Sequence, residues 1–259
     1  ATPFPLIQGV DCGGTIVAVG DGVEESRIGE RVLVRPCMRV HGFDRPDTRW
    51  LGVDFNGAFA QFVVVPSSEA FAVTSTMSDV ELASFPCAYG TAEAMLERAD
   101  IRLGETVLVP GASGGVASAV VQLATLRGAR VIAVTKPEKA EALRALGANS
   151  VATRLLDLFD TPEAGRIDAV IDNVGGEGFP TFLKLLRRGG RYVTSGAIAG
   201  AAVSLDLRDL YLKDLTLIGS TAWGAAVFPR LIAALETGAI RPLVAATFPL
   251  AEMEAAQRA

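Results

Sequence analysis

The sequence has few of the residues that bind metal ions or form disulfides. It contains one histidine, His41, among 259 residues, so a site that needs two histidines from this chain is excluded. Its three cysteines, Cys12, Cys37 and Cys87, are odd in number and include no C-x-x-C pair. This pattern fits neither a disulfide framework nor a structural zinc site, so we predict reduced thiols.

Long apolar runs and dense basic runs are also missing. No uncharged apolar run reaches the ~18 residues that span a bilayer, and the opening residues lack a basic segment followed by an apolar core. The net charge is -5, which argues against nucleic acid as the main partner. The sequence therefore predicts a cytoplasmic protein that acts on a small molecule, with no membrane or nucleic-acid partner.

Two patterns of apolar residues divide the chain, which is 50% hydrophobic. Up to Val65, short valine-rich segments predict a small β-rich domain: GTIVAVG, ERVLVRP and AQFVVVP. After Ser78, predicted strands alternate with predicted helices, the first helix being ELASFPCAYGTAEAMLERA and a later one PTFLKLLRRGG. This alternation predicts an α/β fold with a doubly wound parallel sheet of the Rossmann type. We place the domains at 1–76 and 77–224, with a return segment at 225–259 that packs on the first domain.

A glycine pair lies between a predicted strand and a predicted helix in VPGASGGVASAV, residues 109 to 120. Glycines there allow a pyrophosphate to approach the backbone closely, and the helix N-terminus offers free N–H groups. Ala112 and Ala117 replace two glycines of the G-x-G-x-x-G pattern, and a plain tight turn is the alternative. The predicted phosphate contacts are Ser113, Gly114, Gly115 and Val116.

The end of the next strand, RVIAVT, predicts which dinucleotide binds. An acidic residue there would accept from the 2'-hydroxyl of NAD, whereas a basic residue would meet the 2'-phosphate of NADP. Thr135 and Lys136 occupy the acid's place, Lys139 follows one turn later, and Arg154 follows the third strand. Solvated surface charges are the alternative, but we predict NADP as the cofactor.

Several motifs in order resemble the medium-chain dehydrogenase/reductase superfamily, in its zinc-type alcohol dehydrogenase and quinone oxidoreductase group. The resemblance runs through nearly the whole chain: FPLIQGVDCGGTIVAVGDGV, GAFAQFVVVP, PCAYGTAEAML, ASGGVASAVVQLA, IDNVGG, GGRYVTSGAIAG and LTLIGSTAW. It implies that the β-rich domain is a GroES-like catalytic domain. It also implies a first strand pair ahead of FPLIQG and a final strand after AAQRA in family chains.

Departures from the family pattern concern zinc. The resemblance places a zinc-binding histidine where this chain has Val10, while Cys87 matches a family zinc cysteine. Cys87 with Asp11 would be fewer than the three protein ligands of a catalytic zinc, and the run of four structural-zinc cysteines is absent. We therefore predict no metal and interpret Cys87 as a small apolar residue at the pocket floor.

Without zinc, the resemblance implies the quinone oxidoreductase or enone reductase branch, in which NADPH delivers hydride to a quinone or conjugated carbonyl. The predicted ribose and nicotinamide contacts are Thr91, Asn173, Val174, Gly196, Ala197, Ile198 and Thr221. Tyr89, Thr91 and Cys87 are pocket candidates, although Tyr89 and Thr91 could equally be helix residues bonded to the backbone. A zinc alcohol dehydrogenase with ligands outside this chain and a non-catalytic NADPH-binding protein remain alternatives.

The segment LKDLTLIGSTAW, residues 212 to 223, predicts an assembly. It is expected to form the last strand of the sheet, and past Asp214 it has no charge or proline to protect an open edge. A loop or the helix FPRLIAALETG could cover that edge. The alternative that we favour, and that the resemblance implies, is a homodimer whose sheet continues through this strand.

Overall fold

The computed structural model describes residues 4–45 and 47–259, and the chain divides into two compact units. The first unit comprises Ala1–Gly90 and Ala222–Ala259, and the second comprises Thr91–Thr221. The sequence placed its boundaries at 76/77 and 224/225, whereas the compact units change at 90/91 and 221/222.

Both units contain strands and helices. The strands are β1 (Gly13–Thr15), β2 (Arg31–Val34), β3 (Cys37–Met38), β4 (Arg49–Trp50), β5 (Ala70–Ala72), β6 (Thr106–Val109), β7 (Arg130–Val134), β8 (Ser150–Ala152), β9 (Ile167–Asp172), β10 (Leu186–Thr194) and β11 (Thr216–Gly219). The helices are α1 (Asp79–Ala83), α2 (Pro86–Arg98), α3 (Gly115–Leu126), α4 (Ala140–Ala145), α5 (Phe179–Leu185), α6 (Leu207–Tyr211), α7 (Val227–Glu236) and α8 (Met253–Arg258). In residues 4–45 and 47–259, no helix has the length and apolar character needed to cross a membrane.

The first unit contains an antiparallel sheet in the order β1-β2-β5 and a separate pair, β3-β4. Val34, Met38 and Leu51 form a buried cluster beneath them. The strand predicted for AQFVVVP is wrong for the described structure: residues 60 to 65 form no ladder. Val63 and Val65 pack against the cluster while Phe62 and Val64 stay exposed, so the alternation is present but no described strand pairs with it.

The predicted helix ELASFPCAYGTAEAMLERA is two helices, α1 and α2. Ser78 caps α1 by accepting from the Glu81 N–H, and Glu81 bonds back to the Ser78 N–H. The break falls at Ser84 and Phe85 because Pro86, the first residue of α2, disfavours the helical conformation in the residue before it.

The second unit confirms the predicted α/β fold. Its six-stranded parallel sheet has the order β11-β10-β9-β6-β7-β8, the doubly wound Rossmann arrangement. Leu108, Ile132 and Val170 are fully buried, as expected for strands covered on both faces. The switch point lies between the neighbours β6 and β9. In doubly wound sheets, ligands bind at the carboxyl edge beside this point.

The connection from α5 to β10 differs from the sequence prediction. PTFLKLLRRGG was predicted as helix, but α5 ends at Leu185 and β10 begins at Leu186. The pairing of β10 with β9 shifts between Leu186 and Arg191, the stretch that contains the glycine pair. Glycines weaken a helix and permit such an irregularity, so the helix ends earlier than its apolar pattern indicates.

Candidate cofactor-binding site

The predicted glycine turn lies at the carboxyl end of β6, immediately before α3. Gly114 is the N-cap of this 12-residue helix in extended conformation, and its N–H donates to the Gly111 carbonyl at 3.0 Å. The N–H groups of Gly115, Val116 and Ala117 find no acceptor in the described part of the chain, as expected for a first helical turn. Ser113, Gly114 and Gly115 are exposed, so these donors can meet an anion.

The glycine turn approaches the loop after β9. A Cβ built on Gly111 would lie 2.8 Å from Val174 Cγ2, so a side chain there would displace this neighbour. The turn and the loop therefore form a close cradle on the two sides of the switch point. Backbone donors in such a cradle fit a dinucleotide pyrophosphate.

Two loops at the carboxyl edge, residues 173–176 and 196–200, bind each other and are called here the paired loops. The Ala199 N–H donates to the Val174 carbonyl at 2.8 Å, and the Gly176 N–H donates to the Gly200 carbonyl at 3.0 Å. The paired loops contain the five predicted nicotinamide-side residues Asn173, Val174, Gly196, Ala197 and Ile198. The structure brings these residues together, while their contact with a cofactor stays a prediction.

Asp172, which the sequence reasoning missed, anchors the first of the paired loops. It is fully buried at the end of β9 and accepts from the Val174 N–H at 2.7 Å and from the Gly175 N–H at 3.1 Å. Oδ2, the oxygen that accepts from the Gly175 N–H at 3.1 Å, also accepts from the Tyr192 hydroxyl at 2.5 Å. Burial, with this carboxylate beside it, raises the pKa of Tyr192 above its ordinary value. An aspartate at a strand end, two residues before the N–H it binds, was the sequence signal.

Asn173 contains a buried oxygen without a partner. Its amide nitrogen donates to Ser195 Oγ at 2.7 Å, and that hydroxyl lies 3.1 Å from Met95 Sδ. The Asn173 Oδ1 atom is buried and makes no hydrogen bond with any described residue. Such an acceptor is costly unless a ligand donates to it, so the paired loops fit a bound group with hydroxyl or amide donors.

The predicted adenosine-side residues follow β7 and β8. Thr135 is only 8% exposed and its N–H donates to the Ala152 carbonyl, so little of its side chain is open to a ligand. Lys136 and Lys139 are exposed and form no ion pair within the described residues. Arg154 Nε lies 3.7 Å from Asp157 Oδ1, which partly neutralises it. Thr221 is exposed just beyond β11, after Ser220, whose N–H donates to the Thr194 carbonyl.

The pocket candidates on α2 have defined partners or surroundings. Tyr89 is buried and its hydroxyl donates to the Arg241 carbonyl at 2.6 Å, so that proton already has an acceptor and the side chain has a structural role. Cys87 is half-buried, and its N–H donates to Asp11 Oδ1 at 2.6 Å. Thr91 is half-buried and is the first residue of the second unit.

The residues present do not fit a catalytic zinc. Across residues 4–45 and 47–259, no group of three or more His, Cys, Asp or Glu side chains could hold a metal ion. Val10 occupies the histidine place, and the Asp11 carboxylate already accepts from Cys87. His41 Nε2 is exposed and lies 3.6 Å from Asp47 Oδ2. Three protein ligands are the usual minimum for catalytic zinc, and Cys87 and Asp11 supply at most two.

Asp11 lies in an unusual electrostatic environment in the first unit. Desolvation raises the pKa of its carboxyl to about 6, against the opposing effect of the Cys87 N–H, although part of the side chain stays exposed. Asp11 and Cys12 line a cavity of about 660 Å³ whose other walls are mainly valine and alanine. The same desolvation and the neighbouring Asp11 charge raise the pKa of Cys12.

Replacing Asp11 with asparagine should flatten the pH dependence of stability between about pH 4 and pH 6. The folded-state pKa, about 6, is higher than the ordinary value of 3.8, so the folded protein binds the extra proton. The resulting stabilisation is complete below the ordinary pKa and is lost as the pH rises through the folded-state pKa. Thermal unfolding of both proteins across this range measures it. Asparagine retains an oxygen for the Cys87 N–H, so this hydrogen bond is kept in the variant. If the difference in unfolding temperature between wild type and variant did not change with pH, the prediction would be contradicted.

Two family models match the chain in the order of its units. The alcohol dehydrogenase GroES-like domain matches residues 1–75, and the zinc-binding dehydrogenase model matches residues 115–237. The first match lies in the first unit, and the second begins at α3 in the glycine turn.

Curated relatives are similar over most of the chain. An acryloyl-coenzyme A reductase from Metallosphaera sedula is 32% identical over 97% of this chain and 78% of its own. A NAD-dependent alcohol dehydrogenase from Saccharolobus solfataricus is 30% identical over 96% of this chain and 76% of its own. A quinone oxidoreductase from Rattus norvegicus is 27% identical over 95% of this chain and 73% of its own.

Solved structures have the same fold. A provisionally named alcohol dehydrogenase from Sinorhizobium meliloti 1021 is 46% identical, with a TM-score of 0.93 over 99% of this chain and 73% of its own. A 2-octenoyl-CoA carboxylase reductase, solved with NADP and 2-octenoyl-CoA, is 30% identical, with a TM-score of 0.87 over 98% of this chain and 65% of its own.

The Rossmann sheet with its glycine turn, joined in one chain to a GroES-like domain, defines the class of nicotinamide-dependent oxidoreductases. The chain belongs to the medium-chain dehydrogenase/reductase superfamily. The family resemblance and the fold class inferred from the sequence are thereby confirmed.

Proposed function

We propose that this protein is an NADP(H)-dependent reductase that transfers hydride to a quinone or a conjugated carbonyl without zinc. The observation that carries the proposal is the ligand set of the first unit. Val10 replaces the histidine, which leaves Cys87 and Asp11 as the candidate ligands at that place among the residues that the structure describes. A conjugated acceptor needs no Lewis acid of its own, because its negative charge spreads over the conjugated system as hydride adds.

Bound NADPH supplies the hydride. The first-turn N–H groups of α3 would hold the pyrophosphate, and the paired loops would orient the nicotinamide ring. Asn173 Oδ1, which is buried without a partner among the described residues, would accept a hydrogen bond from the nicotinamide ribose or carboxamide. The protein mainly orients the reactants and excludes water, and the proton that completes the reduction comes from solvent.

The relatives support two acceptor classes and one alternative. The acryloyl-coenzyme A reductase and the rat quinone oxidoreductase are named for conjugated thioester and quinone acceptors. The structure solved with NADP and 2-octenoyl-CoA supports the same cofactor and acceptor chemistry. The NAD-dependent alcohol dehydrogenase supports the alternative of a zinc alcohol dehydrogenase whose remaining ligands lie outside this chain. A cytoplasmic location remains a prediction.

The function is tested by NADPH oxidation on addition of a quinone, an enone or an enoyl thioester. Activity that survives chelation supports the proposal. Alcohol oxidation that disappears on chelation, with about one zinc per chain in the purified protein, would instead identify the alcohol dehydrogenase. Tight NADPH binding without turnover of any acceptor would identify a non-catalytic binder.

Replacing Lys136 with glutamate should remove or invert a preference for NADPH over NADH. Lys136 stands at the end of β7, and a charge-assisted contact with the 2'-phosphate is worth about 1.5–3 kcal/mol. Fluorescence titration with both dinucleotides measures the preference.

The matched control for this variant is Lys184→Glu, which makes the same charge change. Lys184 lies in the last turn of α5, just before β10 begins, and therefore at the opposite edge of the sheet. The Lys184→Glu protein should keep the wild-type preference for NADPH over NADH. Equal or tighter binding of NADH by the wild-type protein would refute the NADP assignment.

We also propose a homodimer that pairs through β11, the edge strand of the sheet. The Ser220 N–H donates inward to the Thr194 carbonyl, and N–H groups alternate sides along a strand. The Leu217 N–H therefore faces the open edge, and Leu217→Pro should remove a donor needed by the partner strand and yield monomers. Light scattering at micromolar concentration measures the mass, with Leu217→Ala as the control that keeps the donor. A monomeric wild type, or a dimer that persists in the proline variant, would rule out this interface.

A further inference from the structure

Tyr192 is a buried polar side chain whose hydroxyl donates to the Asp172 carboxylate. It is 4% exposed on β10, and Phe179 packs edge-on against its ring at a centroid distance of 5.0 Å. Phe182 stacks on it at 6.3 Å. The aromatic packing fixes the ring, so the hydroxyl can reach only a narrow region. That region contains Asp172 Oδ2, 2.5 Å away.

The Asp172 carboxylate accepts hydrogen bonds from Tyr192 in the core and from the first of the paired loops. Oδ2 accepts from Tyr192, while Oδ1 accepts from the Val174 N–H. The Gly175 N–H lies within hydrogen-bond distance of both oxygens. The Tyr192 hydroxyl therefore holds the carboxylate in the orientation that satisfies both loop N–H groups.

Residues 173–176 in turn hold residues 196–200 through backbone hydrogen bonds. The Val174 carbonyl accepts from Ala199, and the Gly176 N–H donates to Gly200. A change in the orientation of Asp172 would therefore loosen both of the paired loops. In the glycine turn, Gly111 approaches Val174 of the first loop, whereas the adenosine-side residues lie beyond β7 and β8.

We propose that Tyr192 and Asp172 are a positioning pair that sets the nicotinamide side of the cofactor site and leaves the adenosine side unaffected. The inference rests on the proposed function, because it assumes that the ligand is a nicotinamide dinucleotide. Neither residue touches the cofactor. They act through the N–H groups of Val174 and Gly175, which hold the paired loops in the shape that binds the nicotinamide ribose.

The test compares Tyr192→Phe with Tyr211→Phe, a matched control on an exposed tyrosine (61%) of the same unit. Titrations measure the dissociation constants of NADPH and of 2',5'-ADP, which carries only the adenosine side. Loss of a hydrogen bond to a charged group should weaken NADPH binding about tenfold in Tyr192→Phe and leave 2',5'-ADP binding unchanged. Unchanged NADPH binding, or equal weakening of both ligands, overturns the inference.

Hydrogen exchange gives a second readout that needs no ligand. In Tyr192→Phe, peptides that contain residues 173–176 and 196–200 should exchange faster, while the β6 peptide should exchange as in the wild type. Equal acceleration in all three peptides would indicate general destabilisation and refute a positioning role. A wild-type protein that binds no dinucleotide overturns the proposed function together with this inference. A wild type that binds NADPH no more tightly than Tyr192→Phe does overturns the inference alone.

Discussion

Replacing Gly57 with alanine is expected to destabilise the first unit strongly. A Cβ at Gly57 would lie 2.2 Å from the Gly9 carbonyl oxygen, 2.6 Å from Gly52 Cα and 2.7 Å from the Gln8 carbonyl oxygen. All three neighbours are backbone atoms, which cannot move aside by a change of rotamer. The Gly57 N–H also donates to the Ile7 carbonyl at 2.7 Å, so displacement would break this bond. We expect a loss of about 3 kcal/mol or more, measured by urea unfolding.

The control for this effect is Gly20→Ala, in the same unit. A Cβ at Gly20 meets no atom within 4 Å, so its free energy of unfolding should change by no more than about 0.5 kcal/mol. A small effect at Gly57, or effects of equal size at both positions, would show that the close backbone approach does not control stability.

Replacing Gly175 with alanine is expected to abolish useful cofactor binding. Gly175 has φ +65°, a conformation that strains any side chain, and its Cβ would lie 2.8 Å from the Gly200 carbonyl oxygen. The clash separates the paired loops, and displacement of about 1 Å in a site that orients reactants can cost about a hundredfold. We expect a fall of this size in kcat/KM for NADPH, with a parallel rise in its dissociation constant.

The control here is Gly165→Ala, which separates backbone strain from the clash. Gly165 has φ +68° and a built Cβ meets nothing within 4 Å, so alanine adds strain of about 1 kcal/mol without moving a loop. Its NADPH affinity should equal that of the wild type. If Gly165→Ala weakened NADPH as much as Gly175→Ala does, general destabilisation rather than loop geometry would be responsible.

Elements with a strong local signal could be predicted from the sequence, and their boundaries less well. The strands β6, β7 and β9 follow from continuous apolar runs, and the glycine turn follows from its place between a strand and a helix. The break between α1 and α2 also had a sequence signal, because Pro86 disfavours the helical conformation in the residue before it. The apolar periodicity runs across this position, and it favoured one continuous helix. AQFVVVP alternates half-buried and exposed side chains as a strand does. A strand also needs a neighbouring strand to hydrogen-bond with, and the sequence pattern of one segment does not show whether one is present.

The sequence by itself determined the doubly wound fold, the position of the glycine turn and the absence of an acid after RVIAVT, and the family resemblance implied that Val10 replaces a histidine. These features depend on residue identity and on periodicity within one segment. Only the tertiary structure decided the partners of buried polar groups. Tyr192 lies 20 residues from Asp172, Cys87 lies 76 from Asp11, and Tyr89 lies 152 from Arg241. Which of many donors meets a given acceptor depends on strand register and packing, because a buried polar group binds what lies nearest in space.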